Sequence, residues 1–474
     1  MRGYLYKQML VPAVLFCVAG KISGETHERP NVLFIMVDDL RPELGCYGVP
    51  VIKTPNIDRL AQSALLFRNA YCNVPVSGAS RASLLTGVLP RYPDRFVNFD
   101  AWASRDCPSA VPVSKWFTDH GYYTISNGKV FHNIKDHDES WSEYPWRVNP
   151  EGYGADWAEY NKWELWMNKE SGNFINRQSM RGPFCESADV SDTAYDDGKG
   201  ALRTIEDLRR LKKEGKPFFL ACGFWRPHLP FNAPKKYWDL YKPDEIPLAT
   251  NQYLPSDLPE EVTPSKEIFS YARVTDTNEE AFQREAKHGY YACVSYIDAQ
   301  VGMILDELAA QGLDKNTIVV FLGDHGWALG EHSFWGKHTL FDRATHVPLI
   351  IRVPGMKTGD TQSMASFVDI YPTLCELCGL PEPEGQLQGK SLAPVLVDPK
   401  ATVQSEVYIQ WTGGDNLVNN RYSYTEWVKK NNTDRMLFDH KKDKDENHNI
   451  AVQSRYTSLM KQFSVIIQKI KENL

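Results

Sequence analysis

The sequence of 474 residues has no low-complexity tract, no internal repeat and no excess of positive charge. The first two absences exclude disordered, collagen-like and coiled-coil proteins and leave an ordinary globular protein. Lys and Arg number 53 against 60 Asp and Glu, which gives a formal net charge of −7. The surface therefore lacks the charge of a nucleic-acid-binding protein, and an anionic substrate would need a local positive site.

The sequence also lacks an apolar run long enough to span a bilayer, which takes about 20 residues. One shorter run, from Met9 to Gly20, follows the basic residues Arg2 and Lys7, and this pattern is typical of a secretory signal peptide. We assign residues 1–24 to a signal peptide and expect a periplasmic or secreted protein. A buried N-terminal strand or helix is the alternative, and Cys17 lies in a poor lipoprotein motif.

Cysteine is sparse, with nine in the whole chain, one of which would leave with the signal peptide. Eight cysteines in a chain of this length are too few for a disulfide scaffold. Cys375 and Cys378 form a CxxC pair, but no second pair completes a zinc site, and the surrounding apolar spacing is helical. We therefore interpret both as buried helix cysteines.

Three near-continuous apolar runs predict strands that are buried on both faces of a parallel sheet. The runs NVLFIMV and NTIVVFLG end at Asp38 and Asp324, and KPFFLACGF leads to Arg226 and His228. Helical patterns alternate with these strands, so we predict an α/β fold with a large, mainly parallel sheet sandwiched by helices. Polar residues at the carboxyl ends of such strands define a ligand crevice.

The chain divides into two predicted domains. We assign residues 25–385 to a catalytic domain and residues 386–474 to a smaller C-terminal α+β subdomain. In the latter, short alternating runs predict an antiparallel sheet, followed by a helix near Tyr456 to Ile470. Residues 133–195 and 232–280 have no clean periodicity, and we expect them to be surface insertions that shape specificity.

The candidate metal ligands follow two of the predicted strands. Asp38 and Asp39 follow one, and Asp324 with His325 follows another. Either pair alone could form a turn. Three carboxylates brought together at one sheet edge are costly unless a cation neutralises them, and a hard divalent ion is the simplest explanation.

A candidate nucleophile lies in SGASR, residues 77–81, where a loop leads into a helix. A serine hydroxyl needs a base, a metal or a covalent change before it can attack, and a helix cap at Ser77 is the plainer alternative. Further along the chain, Lys129 and His132 in GKVFH, together with Lys337, offer cations. They could bind anionic oxygens, and a histidine such as His228 in RPH could protonate a leaving group.

Taken together, these motifs resemble those of the type I sulfatases within the alkaline phosphatase superfamily. SGASR is followed by LTG at the register of the sulfatase signature, whereas Cys72, with Pro75 nearby, lacks the Ser and Arg that should follow. GKVFH, RPHLPF, GDHGWALGEH, THVPLI and LFDHKKDKDENHNIA extend the resemblance over most of the chain, most closely to the iduronate-2-sulfatase branch. The resemblance implies an alkaline phosphatase-like fold.

The resemblance also implies a chemistry for Ser77. The serine would be converted to formylglycine. Many relatives have cysteine at this position, and a serine there resembles the bacterial type of sulfatase, which needs a radical maturase for the conversion. The aldehyde would hydrate, one hydroxyl would attack sulfur, and the second would expel sulfate. Ca²⁺ would be bound by the oxygen of residue 77 and four side chains: Asp38, Asp39, Asp324 and His325. Because imidazole is an unusual Ca²⁺ ligand, Mg²⁺ or Mn²⁺ is an alternative.

By the same resemblance, Arg81 and Lys129 would orient the nucleophile and His132 would help to break down the sulfated intermediate. Lys337 and His228 would hold the sulfate, with His228 as the acid for the leaving oxygen. The substrate would be a 2-O-sulfated uronic acid or another sulfated sugar of a glycosaminoglycan or algal glycan. Aromatic and polar side chains are candidate sugar contacts: Asn98, Asp100, Trp102, His332, Trp335 and His338.

Two alternatives stay open at this point. A phosphohydrolase of the same superfamily would use Ser77 as a phosphorylated nucleophile, although it normally needs more metal ligands. A non-catalytic protein that binds sulfated glycans would need no turnover, although every catalytic position is present. Neither alternative, nor the leading one, involves nucleic acid or a membrane span.

Overall fold

The computed structural model describes residues 29–148, 181–274 and 276–474. The predicted signal peptide lies outside the described residues, as does the middle of the predicted 133–195 insertion. Among the described helices, none is long and apolar enough to cross a membrane.

The structure is built around one large sheet and a smaller antiparallel one. The strands are β1 (Asn31–Val37), β2 (Leu65–Tyr71), β3 (Tyr123–Gly128), β4 (Cys185–Ala188), β5 (Phe218–Phe224), β6 (Phe231–Pro234), β7 (Thr317–Gly323), β8 (Ala328–Leu329), β9 (Trp335–Gly336), β10 (His346–Arg352), β11 (Gly359–Ser366), β12 (Glu406–Trp411), β13 (Gly414–Asn419), β14 (Tyr422–Val428) and β15 (Thr433–Asp439). Seven of them form the large sheet in the order β11-β2-β10-β7-β1-β5-β3.

The large sheet is mixed but mainly parallel. Strands β3, β5, β1 and β7 run parallel to one another, and β11 runs parallel to β2. Only β10 is antiparallel to both of its neighbours. The predicted mainly parallel sheet is confirmed.

Helices cover both faces of this sheet. They are α1 (Pro55–Gln62), α2 (Ser77–Thr86), α3 (Ala103–Asp106), α4 (Val113–Asp119), α5 (Asp196–Glu214), α6 (Lys235–Trp238), α7 (Glu280–Ala310), α8 (Asp342–Thr345), α9 (Ile370–Leu377), α10 (Ala393–Val397) and α11 (Thr457–Lys471). Side chains of β1 alternate between two cores: Leu33 and Ile35 pack with α1, α5 and α7, whereas Val32 and Phe34 pack with α2, α4 and α9. Burial on both faces explains why β1 is almost entirely apolar.

The three predicted strands end at the same level. Val37 at the end of β1 lies beside Phe224 of β5 on one side and Gly323 of β7 on the other. The chain passes very close to these ends: a Cβ on Gly323 would lie 2.2 Å from the carbonyl oxygen of Leu40, so no larger residue fits there. The residues that follow β1, β5 and β7 therefore meet at one sheet edge.

The C-terminal sheet contains β12, β13, β14 and β15 in sequential antiparallel order. One face packs against α11 through Tyr424 and Phe463, and the other packs through Ile409 and Phe438 against residues of the N-terminal part of the chain, such as Phe341. Strand β13 was not predicted, because GDNLVN carries polar side chains that are buried in the sheet. The domain boundary at residue 385 stays a prediction.

Two segments differ from the sequence interpretation. The helix expected from Val294 to Leu308 runs from Glu280 to Ala310. The expected surface insertion at 232–280 is partly internal, since Ile246, Ile268 and Tyr271 are buried. Irregular segments bury scattered aromatic and aliphatic side chains without a regular period, so their burial leaves no pattern in the sequence.

The cysteines agree with the interpretation above. All eight that lie in the described residues are free thiols. Cys375 in α9 and Cys378 just after it are buried in the core beneath the sheet. Burial raises the pKa of the Cys375 thiol to about 12, as expected of an unreactive core cysteine.

Candidate active site

Four potential metal ligands converge where β1 and β7 end. Asp38, Asp39, Asp324 and His325 each offer an atom, and these atoms all lie within 4.8 Å of one another. All four side chains are fully buried. The Asp39 backbone N–H donates to Asp324 Oδ1 at 3.0 Å, and Asp39 has a positive φ of 56° that turns the chain at this point.

Burial is outweighed at Asp38, where Lys129 and Arg81 hold the pKa well below its usual range, but the other two carboxylates are not fully compensated. Burial raises the pKa of Asp39 well above its usual range, and although Lys337 opposes this, Asp38 raises it further. Burial likewise raises the pKa of Asp324 to about 7, with Asp38 contributing and Arg81 opposing. Such shifts mean that the negatively charged forms are costly here, as expected of side chains that a cation would complement.

Ser77 opens helix α2 and points at this cluster. Its hydroxyl donates to Asp38 Oδ1 at 2.9 Å and also lies 2.9 Å from His325 Nε2. His325 Nδ1 lies 2.9 Å from the carbonyl oxygen of Gly326, which can only accept, so Nδ1 carries the proton. Burial keeps the pKa of His325 well below its usual range, so the ring is neutral and Nε2 is an acceptor. One hydroxyl proton therefore faces two acceptors.

Two buried cations lie on the other side of Ser77. Arg81, one turn further along α2, donates from Nε to Asp324 Oδ2 at 2.7 Å and from Nη1 to the carbonyl of Val130 at 3.0 Å. The Lys129 ammonium pairs with Asp38 and lies 4.7 Å from the centre of the Trp225 ring. Burial lowers the pKa of Lys129, and the charge of Asp38 opposes that effect.

A second group faces the cluster from three separate segments between residues 228 and 337. Lys337 Nζ lies 2.8 Å from Asp39 Oδ1 and 3.4 Å from Glu267 Oε2. His228 Nε2 lies 3.1 Å from Glu267 Oε1 and 4.0 Å from Asp39 Oδ2. Burial alone would lower the pKa of Lys337, but Asp39 and Glu267 raise it above its usual range, so the ammonium stays charged.

Glu267 is the residue that sequence reasoning missed. It lies in the irregular segment SKEIF, and its side chain is 13 % exposed. No motif or period marks it, since it reaches His228 and Lys337 only through the fold. His132, by contrast, was predicted and lies near the cations: burial and the charge of Lys129 hold its pKa well below its usual range.

The predicted sugar contacts divide into two groups, of which the first lies near Ser77. Asn98 and Asp100 are exposed and Trp102 is half-buried. Their loop packs against the start of α2, because a Cβ on Gly78 would lie 2.0 Å from the carbonyl oxygen of Phe99. The Phe99 ring itself is 59 % exposed, and sequence reasoning did not single it out.

The second group comes from the segment around Lys337. His338 is half-buried, and its Nδ1 lies 2.9 Å from the Ser265 hydroxyl. Trp335 is only 3 % exposed and packs edge-on against Phe282, with ring centres 5.3 Å apart. His332 is equally buried and lies 4.6 Å from the Phe341 ring. The structure therefore brings His338 to the rim of the site, but it leaves Trp335 and His332 inside the protein.

Comparison with known proteins agrees with this geometry. The sulfatase family model matches residues 30–380, and the model for the C-terminal part of N-sulphoglucosamine sulphohydrolase matches residues 330–473. The chain belongs to the sulfatase family. The family assignment and the enzyme class predicted above are confirmed: the chain is a sulfuric ester hydrolase that acts on sulfated carbohydrates.

Two curated relatives illustrate the similarity. Human iduronate 2-sulfatase is 34% identical over 431 residues, which cover 81% of this chain and 75% of the relative. A sulfatase of Formosa agariphila is 33% identical over 368 residues, which cover 74% of this chain and 70% of the relative. These similarities confirm the predicted resemblance to the iduronate-2-sulfatase branch.

Solved structures confirm the fold. A protein bound to its substrate D-glucosamine-2-N,6-O-disulfate has a TM-score of 0.73 at 20% identity, covering 94% of this chain and 98% of its own. The phosphonate monoester hydrolase of Agrobacterium radiobacter also has a TM-score of 0.73, at 22% identity, covering 94% and 96%. At such identities the likeness concerns the fold alone, which is the alkaline phosphatase-like fold that was predicted.

Proposed function

We propose that this sulfatase removes an O-sulfate from a uronic acid or a related sugar of a sulfated glycan, with Ser77 matured to formylglycine and a Ca²⁺ ion bound beside it. The observation that carries the proposal is the convergence on Ser77 of four oxygen and nitrogen ligands and three buried cations. The similarity to human iduronate 2-sulfatase supports the sugar class.

The residues present fit a divalent cation. Three buried carboxylates supply hard oxygen ligands, and the raised pKa values of Asp39 and Asp324 express the cost of leaving them uncompensated. The Ser77 hydroxyl faces two acceptors with one proton, a conflict that a cation between them would remove. A bound cation would polarise the oxygen carried by residue 77 and stabilise negative charge beside it. Because His325 supplies imidazole, Mg²⁺ and Mn²⁺ are the alternatives to Ca²⁺.

The covalent change at Ser77 would supply a stronger nucleophile than a serine hydroxyl. A serine hydroxyl is a weak nucleophile at its own pKa, and the nearest histidine, His325, is one of the proposed metal ligands. Formylglycine, made by a maturase during synthesis, would supply the nucleophilic oxygen that an unactivated hydroxyl lacks. Arg81 and Lys129 flank this position and would hold that oxygen in place.

The remaining side chains suit a sulfate ester. Lys337 would bind sulfate oxygens as a fixed positive charge on the far side of the ligand cluster. His228 Nδ1 lies 2.6 Å from the carbonyl oxygen of Leu229 and donates to it, so Nε2 holds a proton only in the imidazolium form. Burial and Lys337 lower the pKa of His228 to about 4, and Glu267 opposes them, so Nε2 would donate to the leaving oxygen only after gaining a proton. His132, close to Lys129, would assist the release of sulfate.

The proposal also includes export, the division into domains and the sugar contacts. A signal peptide over residues 1–24 would deliver the enzyme to the periplasm or the exterior, where sulfated polysaccharides are found. The catalytic domain would span residues 25–385 and the C-terminal subdomain residues 386–474. Sugar contacts would come from Asn98, Asp100, Trp102 and His338 at the rim of the site.

The experiment joins mass spectrometry to an activity screen on protein co-expressed with a formylglycine-forming maturase. We expect the peptide that contains Ser77 to lose about 2 Da, as oxidation of the side chain to an aldehyde requires. The same protein should release sulfate from disaccharides that carry a 2-O-sulfated uronic acid, and EDTA should stop the release. Ser83→Ala, a change in the same helix away from the ligand cluster, is the matched control for Ser77→Ala.

Other outcomes of this experiment would favour an alternative function or an alternative sugar. An unmodified Ser77 in protein that releases phosphate from monoesters, but no sulfate, would favour the phosphohydrolase. Binding of sulfated saccharides without turnover by protein shown to contain formylglycine would favour a binding protein. Release from other sulfated sugars only, such as 6-O-sulfated glucosamine, would keep the chemistry and change the sugar.

A further inference from the structure

Trp411 is the last residue of β12, an edge strand of the C-terminal sheet, yet it lies beside the catalytic domain's active site. Its indole stacks on the imidazole of His338, with ring centres 5.4 Å apart and planes 19° from parallel. His338 directly follows Lys337, the cation proposed to hold the sulfate. The C-terminal sheet thus places an aromatic ring against the residue that directly follows Lys337.

The backbone on both sides holds this strand against the site. The N–H of Gln410 donates to the carbonyl of Asn73 at 2.9 Å, and Asn73 Nδ2 donates to the carbonyl of Tyr408 at 2.8 Å. The segment that begins at Asn73 leads directly into Ser77. The His338 N–H in turn donates to the carbonyl of Pro75 at 3.3 Å. Trp411 is therefore tied to the two segments that supply the nucleophile and Lys337.

A tight turn fixes the indole at the end of its strand. Trp411 pairs with Gly414, and the two residues between them, Thr412 and Gly413, both have positive φ values of 46° and 77°. This is the geometry of a two-residue hairpin that matches the twist of its strands. For the β-branched Thr412 a positive φ is a strained conformation, and such strain is common where a functional group must be held in place.

The indole is not fully enclosed. Trp411 is half-buried, in contrast to the enclosed Trp335 and Trp327 nearby. A half-buried, pre-positioned indole offers a large apolar surface with little loss of side-chain entropy on binding, which suits the C–H face of a pyranose ring.

We infer that Trp411 and His338 form a sugar-binding subsite, contributed by the C-terminal sheet, that stacks on the ring of the sulfated sugar. The inference rests on the proposed function for its ligand class. It assigns to the C-terminal subdomain a part in substrate selection, and it makes Trp411 a specificity-determining residue.

The test compares Trp411→Ala and Trp411→Phe in maturase-treated enzyme, with the panel disaccharide that gives the highest sulfate release as substrate. We expect Trp411→Ala to raise KM about tenfold, with kcat within about twofold, because stacking contributes to binding and not to the chemical step. Trp411→Phe should keep KM within about threefold of wild type, since an aromatic face is retained. The inhibition constant of inorganic sulfate, which has no ring, should move by less than about twofold in both variants.

The matched control is Trp116, another half-buried tryptophan that packs on a histidine, with 4.4 Å between its ring and that of His120, on the surface of α4. Trp116→Ala should leave KM for the disaccharide unchanged. A KM within twofold of wild type in Trp411→Ala would overturn the subsite. So would a parallel rise in the sulfate inhibition constant, which would assign Trp411 to packing of the sulfate pocket.

Calorimetric titration of the panel disaccharides into Ser77→Ala protein measures their binding affinity in the absence of turnover. Affinity that falls in the Ser77→Ala, Trp411→Ala double variant supports the subsite even if the wild type releases no sulfate, in which case only the proposed function fails. If the wild type releases sulfate but the Ser77→Ala protein and the double variant bind the disaccharide equally well, the proposed function stands and the subsite is overturned. Neither turnover nor binding of any panel saccharide would overturn both.

Discussion

Two buried charged clusters lie on either side of the loop that follows β1, and they differ in how their charges are compensated. In the first, the pKa values of Asp39 and Asp324 are raised, although that of Asp38 beside them is lowered. In the second, Arg41 Nη1 lies 2.9 Å from Glu331 Oε1 and also pairs with Glu43. There the pKa of Glu331 is lowered, because Arg41 and Arg343 outweigh the effect of burial.

The contrast teaches that burial of charge does not by itself mark a functional site. The second cluster borders a cavity of about 810 Å³ that does not include Ser77. Its acids and bases satisfy one another, so it has a structural explanation. In the first cluster, Asp39 and Asp324 lack full compensation, and that deficit is what a bound cation would remove.

The largest expected effect concerns the first cluster. Ser77→Ala should lower kcat/KM for the sulfated disaccharide by at least about 10³-fold, because the residue left behind cannot supply a nucleophilic oxygen. Steady-state sulfate release measures this. Ser83→Ala, in the same helix, should lie within about twofold of wild type. Residual activity above that limit in Ser77→Ala would show that residue 77 is not the nucleophile.

The next largest effect is a loss of stability when an ion pair of the second cluster is removed. Glu331→Gln should reduce the free energy of unfolding by about 3 kcal/mol, because it removes the charge of one of the two carboxylates that pair with the buried Arg41 guanidinium. Urea unfolding followed by circular dichroism measures the change. The control is Glu307→Gln, which removes the ion pair with the exposed guanidinium of Arg209 and should change the free energy of unfolding much less. Equal losses in the two variants would remove the distinction between a buried network and a surface pair.

A third prediction uses pH to compare the clusters in metal-free protein. The pKa of Asp324 is raised from 3.8 to about 7, so its contribution to stability is full below pH 4 and is lost as the pH rises through 7. The pKa of Glu331 is lowered from 4.5, so its contribution is present above that pH and is lost as the pH falls.

Melting temperatures recorded with EDTA and with Ca²⁺ over this range measure both effects. With EDTA, Asp324→Asn should raise the melting temperature at pH 8 relative to wild type and have little effect at pH 4. Added Ca²⁺ should stabilise the wild type at pH 8 and not the variant. A variant that is less stable than wild type at pH 8 with EDTA would contradict the view that this carboxylate is uncompensated.

The smallest effect concerns Glu267, the acid that joins His228 to Lys337. Glu267→Gln keeps a hydrogen-bond acceptor but removes the charge that supports a proton on His228, so kcat should fall by about tenfold with a smaller change in KM. Steady-state kinetics across pH 5–8 measure this. Glu261→Gln, in the same irregular segment but paired with Lys429, is the control. A change confined to KM would assign Glu267 to substrate binding instead.

Much of the site could be predicted from the sequence because its parts follow regular elements. Asp38 and Asp324 follow strands that are recognisable as apolar runs, and parallel strands deliver their carboxyl ends to one edge. Ser77 and Arg81 begin a helix with a recognisable motif. The sugar contacts were harder to predict: Trp335 was a candidate sugar contact but is buried against Phe282, since an aromatic residue in an irregular segment carries no signal of which side it faces.

The sequence by itself determined the class of fold, the family, and which candidate ligands and cations stand next to β1, β7 and the start of α2. These features depend on local patterns of a few residues each. Only the tertiary structure decided that Glu267 joins His228 to Lys337, and that Trp411 crosses from the C-terminal sheet to stack on His338. Such contacts join segments that are about 40 to 70 residues apart in the chain, and the packing that brings them together is a property of the whole fold.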